Sequence, residues 1–169
     1  MERSSHSRRL LLGCLVVLSV PVLLGIVFVW LRSPTPELTE AALVAAQQRW
    51  GTNGPTSYEL NLKLKGTRPG TVFVRVYDGQ VTAMQRDGVT PRQRRTWDVW
   101  TIEGQFDMLR RELELAADPR GQMQAKKGSQ LVLRARFDRR LGYPLRYHRA
   151  VLGGGPEVYW EVARFEALP

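Results

Sequence analysis

Between Leu10 and Leu31 the chain runs LLLGCLVVLSVPVLLGIVFVWL, 22 residues without a charge. As a helix rising about 1.5 Å per residue it measures roughly 33 Å, enough to cross a hydrocarbon core of about 30 Å. It divides the chain into a tail at 1–9, a span at 10–31, a linker at 32–36 and a domain at 37–169. A cleaved signal has a shorter apolar core and small residues at its cut site. This run instead ends in Phe28, Val29, Trp30 and Leu31 before Arg32. Leu11-Leu12-Gly13-Cys14 has the look of a lipid-attachment box, but cutting there leaves only Leu10 to Gly13 as apolar core. Cys14 reads more simply as a small apolar residue within a helix. The run is therefore read as a permanent anchor, kinked at Pro21 and with Trp30 at an interface. Arg3, Arg8 and Arg9 precede it, whereas Arg32 alone follows closely. The positive-inside rule then puts the N-terminus in the cytoplasm and the domain outside the cytoplasmic (inner) membrane.

The residues from Glu37 onward suffice for one core and not comfortably for two. They carry 21 Lys and Arg against 15 Asp and Glu, an excess that favours anionic partners. The single cysteine lies in the apolar run, so the domain has no disulfide.

Pro36 suits a first helical position, with Thr35 as cap and Glu37 facing the dipole. A helix is predicted over Leu38 to Trp50, stopped by Gly51 and Asn53-Gly54-Pro55. Tyr58, Leu60, Leu62 and Leu64 then alternate with Glu59, Asn61, Lys63 and Lys65, the pattern of a half-buried strand. Val72, Val74 and Val76 repeat it, and Asp78-Gly79 predicts a hairpin turn into Val81 to Gln85. After an Arg-rich loop, Thr101 caps a second helix whose stripe is Ile102, Phe106, Leu109 and Leu113, ended by Asp118-Pro119. Arg120 to Ser129 reads as loose chain, and strands follow at Leu131 to Phe137, Leu145 to Arg149 and Val158 to Phe165. The order is helix, three strands, helix, three strands. Short connections make both strand groups antiparallel meanders, with the helices on one face, and the fold class is α+β.

Trp50, Tyr58, Val76-x-Asp78-Gly79, Thr101-Ile102 with Phe106, and Gly142-Tyr143-Pro144 are spaced like the motifs of a bacterial family of uncharacterised exported domains. The resemblance implies a domain carried behind a lipoprotein signal or a transmembrane segment, and it implies no established activity. Family members often have cysteines where this chain has Lys65-Gly66-Thr67-Arg68, and acidic residues where it has His148-Arg149. Each shared residue also has a structural role available: Trp50 and Phe106 as core aromatics, Tyr58 as an aromatic at the sheet edge, Asp78-Gly79 as a turn.

Catalytic signatures are sparse. His6 and His148 are far apart in sequence, the domain has no thiol, and Gly153 to Gly155 precede Pro156 rather than a helix that would aim amides at a phosphate. No catalytic residue, metal ligand set or cofactor site is expected, and an enzyme is not the favoured reading. If the helices cover the apolar side of the sheet, Lys63, Lys65, Arg134, Arg136, Arg146 and His148 project from the other, joined by Arg75 and Tyr77. Such a face suits lipid headgroups, an anionic envelope polymer or an acidic protein patch. A solvated polar face is the plainer explanation. Tyr143, exposed on a rigid turn, is a further candidate contact. With the topology reversed, a cytoplasmic basic domain would instead meet nucleic acid or regulatory machinery.

Overall fold

A computed structural model describes residues 35–117 and 130–169. The expected anchor at Leu10–Leu31 and the loose stretch after Ala117 lie outside the described residues. Among the described residues no helix is long and apolar enough to cross a membrane.

The first helix, α1, spans Glu40–Asn53 rather than beginning at Leu38. Thr39, not Thr35, is its cap, its Oγ1 accepting from the Ala42 N–H at 3.2 Å. The reason is that Pro36 to Leu38 are already committed to a sheet edge. The Pro36 carbonyl accepts from the Ala135 N–H, and the Leu38 N–H donates to the Leu133 carbonyl. The helix also continues through Gly51, ending where the Gly54 N–H donates to the Trp50 carbonyl.

Three strands follow: β1 (Tyr58–Gly66), β2 (Gly70–Tyr77) and β3 (Gln80–Arg86). Two short 3-10 turns, Arg94–Thr96 and Asp98–Trp100, lead into α2 (Ile102–Ala117). Thr101 caps α2 as expected, its Oγ1 accepting from the Gly104 N–H. The chain closes with β4 (Gln130–Phe137), β5 (Pro144–Leu152) and β6 (Val158–Ala167). Both meanders are antiparallel, and β1 pairs with β6 to join them into one sheet of order β3-β2-β1-β6-β5-β4. The domain is α+β, as its patterning predicts.

One face of the sheet is apolar. Leu60, Leu62, Val72, Val74, Leu133 and Trp160 form a single buried cluster with Leu43, Ala46 and Trp50 of α1 and Ile102, Phe106 and Leu109 of α2. Burying each large side chain of this kind contributes about 1.5–3 kcal/mol. Trp97, in the Arg-rich loop, belongs to the same core. Tyr58 is not at a sheet edge: β1 is an inner strand and Tyr58 is 1% exposed.

Tyr143 also departs from expectation. It is buried at 9% exposure rather than displayed, stacked on Phe165 at 4.4 Å between ring centroids. Burial raises its phenol pKa above the ordinary value. Gly142 places it there by adopting φ +92°, and a Cβ at that position would collide with the Ala46 carbonyl and the Trp50 amide. The turn is thus pressed against α1, and its aromatic ring points into the core.

Candidate functional site

The polar side of the sheet is ordered by register. One row across the strands reads Thr71, Lys63, Glu161, Arg146, Arg136, and the next reads Lys65, Tyr159, His148, Arg134. Alternation along each strand sends these side chains away from the helices. Six of the eight residues picked out from sequence (Lys63, Lys65, Arg134, Arg136, Arg146 and His148) therefore sit together on β1, β5 and β4, with β6 between them. Arg75 and Tyr77 do not join them. Arg75 lies in a row with Glu59 and Glu166, and its guanidinium pairs with Glu59 at 2.6 Å. Tyr77 sits at the end of β2 and is 59% exposed.

Two residues of β6 complete the group and were missed from sequence. Glu161 is the centre: its carboxylate receives Lys65 Nζ at 2.8 Å, Arg146 Nη2 at 3.3 Å and the Tyr159 hydroxyl at 2.7 Å. The hydrogen bond from Lys65, against a smaller opposing effect of burial, holds its pKa below the ordinary carboxylate value. Tyr159 is the aromatic floor. Lys65 lies over its ring at 4.9 Å from the centroid, and the His148 ring meets it edge-on at 5.9 Å. Partial burial, then the hydrogen bond to Glu161, pushes the Tyr159 phenol up to about 12. His148 Nε2 contacts the Glu157 carboxylate. The missing signal was cross-strand pairing: the β1–β6 register, which strand patterning alone does not give, puts Glu161 opposite Lys63.

Lys63, Lys65, Arg134, Arg136 and Arg146 outnumber Glu161 and Glu157, so this half of the face carries excess positive charge. Glu161 is already supplied with donors, which suits it to hold the cations in place rather than to move a proton. A multivalent anion lying across the rows would meet several cations at once.

A second feature lies on the other side. Asp98 and, on α2, Glu103, Asp107 and Glu112 line a groove of about 580 Å³ together with Arg111, Val81, Val99 and Met108. Glu103 is tied down: Trp50 Nε1 donates to one oxygen at 2.8 Å and the Tyr58 hydroxyl to the other at 2.9 Å. The Tyr58 oxygen in turn accepts from the Ile102 N–H at 2.9 Å. This clasp fixes the start of α2 to the sheet. Among the described residues no group of three or more His, Cys, Asp or Glu is placed to hold a metal ion.

No family model, curated protein or solved structure matches this chain.

Proposed function

We propose that the protein is a single-pass, membrane-anchored extracytoplasmic domain at the cell envelope, acting as a non-enzymatic binding module for an anionic partner. The observation that carries the binding part is the gathering of Lys63, Lys65, Arg134, Arg136, Arg146 and His148 on one face of β1, β5 and β4, with Glu161 satisfied internally by Lys65, Arg146 and Tyr159. The anchor and its orientation rest on the uncharged run at Leu10–Leu31 and on Arg3, Arg8 and Arg9 before it. The resemblance to exported bacterial domains is consistent with that placement.

The partner is an anionic envelope polymer, a lipid headgroup or an acidic protein, and no cofactor takes part. Reporters fused after Pro169, one active only outside the cytoplasm and one only inside, test the topology. An outside signal supports the envelope reading. An inside signal overturns it in favour of a cytoplasmic basic domain that meets nucleic acid. Binding is tested with the full chain in detergent against poly(glycerol phosphate). Salt-sensitive retention that is lost in Arg134→Glu/Arg136→Glu supports the face, and retention unchanged in that variant refutes it.

A further inference from the structure

The described chain begins as part of the sheet. Glu37 bridges to Arg134 in antiparallel register, flanked by the backbone bonds of Pro36 and Leu38 to β4. In that register, going backward from Glu37 carries the chain along β4 toward Phe137 and the β4–β5 turn. Arg134 adds a side-chain bond, its Nη1 donating to the Thr35 carbonyl at 3.4 Å. The sequence beside this entry, Arg134-Ala135-Arg136-Phe137-Asp138-Arg139-Arg140, holds four arginines and one acid. That acid, Asp138, is occupied locally: its Oδ1 accepts from the Arg140 and Leu141 N–H groups. Arg139 and Arg140 are exposed.

Chain length sets how far this cluster can lie from a bilayer. Only Arg32, Ser33 and Pro34 stand between Leu31 and Thr35, a reach of at most about 14 Å fully extended. If Leu31 ends a membrane span, that reach bounds the distance from the end of the span to Thr35, which continues the ladder beside Arg136, a few residues before Arg139 and Arg140. The interaction of basic residues with an anionic surface falls off over about a Debye length, roughly 8–10 Å.

We propose that Arg134, Arg136, Arg139 and Arg140 form a juxtamembrane dock for anionic lipid headgroups, seating the domain on the bilayer from which it emerges. The proposal rests on the anchor reading above and adds a surface and a ligand to it. The four guanidiniums offer forked donors suited to phosphodiesters. The dock shares Arg134 and Arg136 with the basic face and extends it, through Arg139 and Arg140, beyond the Lys65–Tyr159–Glu161 centre.

Arginine footprinting with phenylglyoxal tests it, using the full chain in nanodiscs of phosphatidylcholine alone or mixed with phosphatidylglycerol, read by mass spectrometry. Arg139 and Arg140 are expected to react about fivefold more slowly over the anionic lipid, with high salt restoring the rate. Arg68, in the loop at the opposite end of β1, should react equally in both. Equal rates at Arg139 and Arg140 in the two lipids overturn the dock and leave the anchor standing. A chain that fails to co-purify with nanodiscs overturns both. Slowing by glycerol phosphate in solution to the same extent as by the anionic bilayer also overturns it, since that would mark a small-anion site. In Arg139→Gln/Arg140→Gln, loss of the lipid-dependent protection remaining at Arg134 and Arg136 supports the dock, and its persistence refutes a role for the turn.

Discussion

Tyr58→Phe removes one oxygen from the clasp between the sheet and α2. In the native domain that oxygen donates to Glu103 and accepts from the Ile102 N–H, both at 2.9 Å. The first bond is charge-assisted, a class that contributes about 1.5–3 kcal/mol. Glu103 is exposed and can rehydrate, so the lower end applies. The second loss differs in kind. Ile102 is 0% exposed, and its N–H lies at the start of α2, where no earlier turn of the helix supplies an acceptor. An orphaned buried donor costs about 1–3 kcal/mol. Together the substitution should destabilise the domain by about 2–4 kcal/mol. For a domain of this size each kcal/mol lowers Tm by roughly 3–5 °C, so a drop of about 6–20 °C is expected. Near-ultraviolet circular dichroism melts of the full chain in detergent measure it, with exposed Tyr77→Phe expected within about 0.5 kcal/mol of wild type. A Tyr58→Phe protein melting alongside that control would refute the claim that this hydroxyl ties α2 to the sheet.

Gly142→Ala should destabilise by about 2–4 kcal/mol, because the added methyl meets α1 backbone and φ is positive, and urea denaturation reads the loss. Lys65→Met should raise the Glu161 pKa toward the usual 4.5, followed by carboxyl-carbon NMR. Glu161 is depressed in the fold, so its contribution is present above the ordinary carboxylate range and lost as pH falls through the folded value; in the variant the contribution should be smaller and its loss complete at higher pH. Ultraviolet titration should find the Tyr159 phenol ionising near about 12, and Glu161→Gln should bring it down. A Tyr159 value unmoved in that variant would show that Glu161 does not hold the phenol.

Local patterning carried most of the fold. Alternation in Tyr58 to Lys65 and the 3.6-residue stripe of α2 are properties of single segments, and both appear where their residues require them. What depended on distant partners was not legible. The start of α1 slid to Glu40 because the backbone of Pro36 and Leu38 is bonded to β4, nearly a hundred residues on. Tyr143 was misplaced for a similar reason: a Gly-Tyr-Pro turn looks exposed until Gly142 is seen to let it lie flat on α1. The basic face was half legible. Its strand residues follow from alternation, but Glu161 and Tyr159 gain meaning only from the β1–β6 register. The clasp on Glu103 was not legible, because its donors Trp50 and Tyr58 lie 53 and 45 residues away.

The two margins of the sheet are unlike. The middle of β4 is closed by the bonds to Pro36 and Leu38, while β3 has β2 on one side and, among the described residues, no strand on the other. An unpaired strand is a template for joining a second copy. Among the described residues β3 is the fully open margin, and joining through that margin alone is self-limiting. Two copies meeting β3 to β3 about a two-fold axis consume both open margins, so association by this route stops at a pair and cannot grow into a fibre.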